Sequence, residues 1–336
     1  MSEKKLSRNV YTKEFLRGKI LTVNGPMSPV EMTGLALPHE HLFIRHQGPD
    51  VDIDVTMMDA VIDDVRKFAT AGGDTIVEMT NERIGREPAA IKKVSNATGV
   101  KVLMGCGYYK AAWLPEEMKK KSADDIAREI EDDILKGVEA DGEYIHAGHI
   151  GEIGISNIMT REEENSLRGA CRAQKSTGAA LSIHFDYGSN RDPAIKILEE
   201  EGVDNRRVVI NHVIAKLANI DTILALAKKG FNVTFDNFGI DLIDSRMMEL
   251  VDTTREEQIV TIKELMRRGM EDHIMLSNDV CFKACLSING GKAYMNVQED
   301  VVPFLRKLHT NPFDIERITR FNIRKVFTFG GRFPSY

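Results

Sequence analysis

Short runs rich in Val, Ile, Leu and Phe recur along the chain with charged, amphipathic stretches between them, and eight runs are distinguishable from Leu35 onward. They are LALPHEHLFI at 35–44, DTIVEMT at 74–80, VKVLMGC at 100–106, GHIGEIGI at 148–155, AALSIHF at 179–185, RVVINHV at 207–213, FNVTFDN at 231–237 and HIMLSND at 273–279. Run starts lie roughly 25 to 50 residues apart. The gaps hold segments of helical length, among them MMDAVIDDVRKFATAG, SADDIAREIEDDILKGVEA, REEENSLRGACRAQKSTG, IDTILALAKKG and TREEQIVTIKELMRRG, several of which end in glycine as helices tend to. Eight strand-then-helix units with no Ser/Gly/Pro-rich linker predict a (β/α)8 TIM barrel over about 35–320 within one domain spanning 1–336. Strand counting does not show closure, so a doubly wound open sheet is the rival. Residues 1–30 are expected to form an N-terminal extension with a hairpin through Asn24-Gly25, and FDIERITRFNIRKVF supplies C-terminal helices.

Composition narrows the class. The 336 residues are 42% hydrophobic and 29% charged, which is ordinary for a soluble globular chain and allows a large core. A net charge of −6 lacks the basic excess that accompanies phosphate-backbone binding, so nucleic acid is not an expected partner. Nothing approaches a membrane span in length, and MSEKKLSRNVYTKEFLRGK has no apolar run of the signal-peptide kind. The four cysteines, Cys106, Cys171, Cys281 and Cys285, are too few for a disulfide framework, and none has a base beside it in sequence. The expectation is reduced thiols in a cytoplasmic protein. The triple lysine 119–121 opens an acidic helix and reads as a solvated face.

The nine histidines are not scattered at random. The first run carries His39-Glu40-His41, and alternation along a strand points the two imidazoles the same way, about 7 Å apart, with Glu40 on the other face. His184 stands near the end of the fifth run, His212 near the end of the sixth and Asp279 near the end of the eighth. In a closed parallel barrel these ends meet at one mouth. A single histidine there reads as a hydrogen-bonded core residue; four with an aspartate read as metal ligands. Glu152, flanked by glycines in the apolar fourth run, is a carboxylate that burial penalises unless a cation or a neighbouring Arg or Lys neutralises it. His39, His41, Glu152, His184, His212 and Asp279 are too many donors for one tetrahedral ion, and two divalent ions bridged by a carboxylate use them all.

PHEHL, GEIG, the single histidines of the fifth and sixth runs and the aspartate of SNDV resemble the phosphotriesterase family of the amidohydrolase superfamily, especially the phosphotriesterase homology proteins and their lactonase relatives. The resemblance runs from GKILTVNG at 18 to FTFGG near 331. It implies that His39, His41 and Asp279 hold the more buried ion and that His184 and His212 hold the more exposed one. Family members that bridge the ions with a carboxylated lysine differ from this chain, which has no Lys from 137 to 174, so Glu152 takes that place as in the homology-protein branch. The sixth run ends Asn-His-Val, without the aspartate that many relatives carry two residues after this histidine. The resemblance also allows a homodimer.

Two divalent ions, zinc first, with manganese, cobalt and iron equally suited to imidazole and carboxylate, would share a hydroxide able to attack a carboxylic ester, most of all a lactone. Asp279 would shuttle the proton. Phosphoester or phosphotriester hydrolysis and amide hydrolysis are the alternatives at the same centre, and a barrel that binds without catalysis is the reading from another class, against which the complete ligand set argues. Substrate choice falls to the loops. The resemblance to lactonases points to Tyr108 or Tyr109 after the third run, beside Lys110. Lys110, Lys283 and Arg45 together suit a small anionic substrate such as a phosphorylated sugar lactone, a solvated surface position being the competing reading for each. Asp236 and Asn237 are candidates for binding hydroxyls; His46, His146, His149, His273 and His309 have no assigned role.

Overall fold

The structure, a computed structural model, describes residues 9–186, 188–239 and 253–330; residues 1–8 of the expected N-terminal extension lie outside these. An antiparallel hairpin of β1 (Ile20–Thr22) and β2 (Gly25–Met27) turns through Asn24-Gly25, with Gly25 in the left-handed region at φ 108°. The eight apolar runs each contain a strand: β3 (Leu35–Glu40), β4 (Gly73–Glu78), β5 (Lys101–Met104), β8 (Ile150–Ile155), β9 (Leu181–Phe185), β10 (Val208–Ile210), β11 (Asn232–Phe235) and β12 (Ile274–Leu276). β3, β4 and β5 pair in parallel, as do β8 through β12 in order. Two seams join these ladders into a (β/α)8 barrel. At one, His39 N donates to Ser277 Oγ at 3.0 Å and Asp279 N donates to His39 O at 3.3 Å. At the other, Gly148 N donates to Met104 O at 2.8 Å and Gly151 N to Cys106 O at 2.7 Å. The open-sheet rival is thereby set aside.

Between the strands run the helices Met58–Thr70, Pro88–Thr98, Ala123–Leu135, Arg161–Thr177, Asp192–Glu201, Ile220–Lys228 and Arg255–Leu265. Ser122, Thr160 and Thr254 each close a capping box with the acid three residues on, so the starts of three of these helices follow directly from sequence. The amphipathic stretch that begins at Ser122 is shorter than its charge pattern suggests. Gly137, at φ 76°, ends it, and the residues that follow form a second hairpin of β6 (Val138–Ala140) and β7 (Glu143–Ile145) around Asp141-Gly142, both at positive φ. After β12 come short helical turns, the helix Val302–Lys307 and then the C-terminal helices Pro312–Glu316 and Asn322–Phe327. No helix among the described residues is long and apolar enough to cross a membrane.

Two apolar layers divide the strand side chains by parity. Leu37, Ile76, Val102, Ile210 and Ile274 join the large cluster shared with the surrounding helices. Ala36, Val77, Leu103, Val209 and Met275 form a smaller one with Val326 and Phe327 of the last helix, filling the barrel interior. Strict alternation from Leu37 would put His39 and His41 in the outer layer. An irregularity in the pairing of β3 with β4, between Leu37 and Glu40, resets the parity at Pro38 and turns both histidines inward.

The second seam depends on residues without side chains. A Cβ on Gly105 would stand 2.2 Å from Gly151 O and one on Gly148 would stand 2.1 Å from Leu21 O. Gly105→Ala is expected to destabilise the fold by ~1–3 kcal/mol, because the backbone beside Glu152 has to part to admit a methyl group. Urea unfolding measures this, and a parental midpoint would contradict so close an approach.

Candidate metal centre

Six donor side chains come together at the C-terminal ends of five strands. His39 ends in β3 and His41 just beyond it, Glu152 lies in β8, His184 in β9, His212 two residues past β10 and Asp279 three residues past β12. His39 Nε2 is 3.6 Å from both Glu152 Oε2 and Asp279 Oδ1, and His41 Nε2 is 3.7 Å from Glu152 Oε1 and 3.5 Å from Asp279 Oδ1. On the other side of Glu152, Oε2 is 3.1 Å from His184 Nδ1 and 3.7 Å from His212 Nε2. Atoms bound to one tetrahedral ion at about 2.0–2.1 Å stand roughly 3.4 Å apart, so these separations fit donors arranged around shared cations. Glu152 Oε2 thus faces His39, His184 and His212 while Oε1 faces His41, so one carboxylate touches all four histidines.

The donors fit a metal on energetic grounds too. His39 is fully buried, and neither ring nitrogen has a hydrogen-bond partner. An imidazole left that way costs about 1–3 kcal/mol, which coordination would offset. Burial lowers the His39 pKa and keeps the ring neutral, the form that binds metal. Burial alone would raise Glu152, but His184, His212 and His39 more than offset it, and its carboxyl sits well below the ordinary range. His212 and Asp279 both adopt φ 54°, a left-handed backbone that costs non-glycine residues about 1–3 kcal/mol and that tertiary contacts must hold in place.

Behind the donors, partners fix the imidazole orientations. His41 Nδ1 lies 2.8 Å from Thr80 Oγ1, leaving Nε2 to face Glu152 and Asp279. Asp236, suggested by sequence as a hydroxyl-binding residue, is fully buried and does something else. Its Oδ1 is 3.1 Å from His212 Nδ1, its Oδ2 accepts from His212 N at 3.2 Å and from Thr234 Oγ1 at 2.6 Å, and Oδ2 also lies 3.6 Å from His39 Nδ1. The next strand therefore supplies the carboxylate that the sixth run lacks. A residue 24 positions away from His212 leaves no local signal in the sequence. His149 has no place in the cluster; its Nε2 lies 3.0 Å from Glu78 O.

Above the donors opens a cavity of about 370 Å³ walled by Ile44, His46, Gln47, Tyr109, Lys110, Asn157, Phe282 and others. Of the residues suggested by sequence as substrate contacts, Tyr109 and Lys110 line it. Tyr109 Oη is 3.2 Å from His184 Nε2, and burial, with Glu152, Asp279 and Asp186 nearby, pushes its phenol well up, so it stays a neutral O–H. Lys110 Nζ pairs with Asp186 Oδ1 at 2.6 Å. Tyr108, Arg45 and Lys283 are elsewhere. Tyr108 turns away from the mouth, donating to Glu129 Oε2 at 2.6 Å; Arg45 is drawn to Glu87 at 2.7 Å; Lys283 Nζ donates to Pro49 O at 2.7 Å on the surface. His46, unassigned by sequence, stands in the wall with Trp113 at 5.9 Å and Phe282 at 6.4 Å between ring centres, and burial pushes its pKa down to about 4. The four cysteines are free and buried, and burial raises each thiol, to about 12 for Cys171 and Cys285, which suits none of them to nucleophilic attack.

Residues 18–327 match the family model described as the Phosphotriesterase family. The chain belongs to the phosphotriesterase family. Within it, the chain is 29% identical over 350 residues to an N-acetyltaurine hydrolase of Xenopus tropicalis, covering 94% of this chain and 99% of the relative. It is 30% identical to the phosphotriesterase homology protein of Escherichia coli (strain K12), covering 88% of this chain and 98% of that one. Among solved structures, a resiniferatoxin-binding protein from Rhodobacter sphaeroides superposes with a TM-score of 0.85 at 32% identity, over 96% of this chain and 98% of that one. Membership makes this a hydrolase of the phosphotriesterase family, whose enzymes use divalent metals, and the cluster holds side-chain groups able to bind such ions.

Asp236→Asn tests the orienting pair behind His212. Replacing the carboxylate with an amide is expected to weaken zinc binding about 10–100-fold while near-ultraviolet circular dichroism stays parental. Equilibrium dialysis against a zinc chelator measures the change.

Proposed function

We propose that this member of the phosphotriesterase family is a binuclear divalent-metal hydrolase of carboxylic esters, with lactones its first substrate class. The observation that carries the reading is the six-donor cluster at the floor of the cavity, in which the Glu152 carboxylate stands between His39 and His41 on one hand and His184 and His212 on the other. His39, His41 and Asp279 would hold one ion and His184 and His212 the other, with Glu152 between them. Zinc is the first expectation, and manganese, cobalt and iron suit the same donors. Bound divalent cations supply Lewis acidity and lower the pKa of water, which removes the need for a protein nucleophile.

The chain's own groups do the rest. Asp279, 3.5 Å from His41 Nε2 through Oδ1, is placed to accept the proton released as water attacks and to return it to the leaving oxygen. Tyr109 holds a neutral O–H over His184 and can donate to the substrate's carbonyl oxygen as charge develops there. Lys110 is a cation in the cavity wall, and a small substrate bearing an anionic group would have to compete with Asp186 for it. Tyr109, Trp113, His46 and Phe282 form an aromatic wall that excludes water from the apolar part of the substrate.

Amide hydrolysis is the second reading, and one observation favours it: the relative named N-acetyltaurine hydrolase aligns with 94% of this chain and 99% of its own length. The same water and the same Asp279 would serve, with the proton delivered to a leaving nitrogen. A panel of lactones followed with a pH indicator, N-acyl amines including N-acetyltaurine followed by amine release, and aryl phosphotriesters ranks the readings on zinc-loaded protein. Amide turnover above lactone turnover reverses the order proposed, and phosphotriester turnover above both removes it.

Tyr109→Phe is expected to lower kcat/KM for the best lactone by about 10²-fold, the scale of one lost donor to a developing oxyanion, with little change in bound metal. A kcat/KM equal to the parent's would remove Tyr109 from the reaction.

A further inference from the structure

Glu40 sits between the two histidines of β3 on the opposite face of the strand, and it is fully buried. Its carboxylate takes four hydrogen bonds. Oε1 accepts from the Ser277 hydroxyl at 2.7 Å, from Asn278 N at 2.8 Å and from Asn278 Nδ2 at 2.9 Å, and Oε2 accepts from Val280 N at 3.0 Å. All four donors belong to residues on either side of Asp279. Among the described residues no lysine or arginine pairs with Glu40. A buried carboxylate without a cation is a poor way to stabilise a fold.

What these contacts achieve is geometric. Asp279 sits at φ 54°, a conformation that reverts unless its neighbours are held, and Glu40 holds 277, 278 and 280. Asn278 extends the clamp outward, its Oδ1 accepting from Val297 N at 3.1 Å. We infer that Glu40 is a positioning residue for Asp279: by gripping the 277–280 segment from β3, it sets the Asp279 carboxylate against His39 and His41, the donors carried by Glu40's own strand. One side chain thereby ties three donors of the centre into a rigid group. The inference rests on the metal-centre reading above.

Glutamine in place of Glu40 preserves size but offers a single accepting oxygen, and its NH2 has to face either the Val280 N–H or the Ser277–Asn278 donors. The experiment compares the parent chain, Glu40→Gln and Asn278→Ala for zinc affinity by chelator competition, with urea unfolding, kcat and KM on the same preparations. Glu40→Gln is expected to weaken the tighter zinc about 10–100-fold and to lower kcat more than it changes KM, in protein that remains folded. A folded Glu40→Gln protein with parental zinc affinity and reduced unfolding midpoint makes Glu40 a strand staple only and overturns the inference. Should that variant not fold, Asn278→Ala, which removes one of the four hydrogen bonds to Glu40 without touching His39, decides: several-fold weaker zinc supports the clamp, and parental affinity overturns it. A parent chain that binds neither zinc, manganese nor cobalt removes the metal centre itself, an outcome distinct from a metal-binding parent whose variants match it.

Discussion

A carboxylate cannot be taken out of water without partners, and Glu152 is 2% exposed in a strand of isoleucines and glycines. The fold around it answers that constraint. Four imidazoles from three other strands surround its two oxygens, and those of His41 and His212 are held from behind by Thr80 and Asp236. The arrangement stores considerable polar chemistry in a dry place, where electrostatic interactions are stronger than in water and errors of placement are correspondingly expensive.

Placement is secured by closure of the barrel. The seam between β5 and β8 brings backbone within a distance that leaves no room for a Cβ at Gly105, and the seam between β12 and β3 is stitched by Ser277 and by Asp279 N. His39, His41, Glu152 and Asp279 therefore sit beside the two seams, and His184 and His212 on the regularly paired β9 and β10 between them. Asp236 and Glu40 do complementary work here: one fixes an imidazole, the other a segment of chain, and both are carboxylates with no lysine or arginine within ion-pairing distance among the described residues.

The mouth is built more loosely than the floor. Among the described residues its lining lysine, Lys110, is already paired with Asp186, and Tyr109, Phe185 and Phe282 share the wall with polar side chains such as Gln47 and Asn157. The floor thus gathers the candidate metal donors, whereas the loop side chains of the wall are the ones a substrate would meet. That division agrees with a family whose members carry different names for their substrates on one scaffold.

Strand positions and the meeting of His39, His41, Glu152, His184, His212 and Asp279 at one end of the barrel were legible in the chain because each depends on local pattern: β-branched runs and polar residues at strand ends. The β6–β7 hairpin was masked by an acidic helical pattern running into it, although Gly137 and Asp141-Gly142 marked its turns. Tertiary structure alone decided that Tyr109 and not Tyr108 faces the centre, that Lys110 lines the cavity while Arg45 and Lys283 find partners outside it, and that Asp236 supports His212. The physical reason is reach. A side chain's direction in a loop, and the carboxylate that ends behind a given imidazole, depend on strands that meet only when the barrel closes, and no spacing along the chain encodes that meeting.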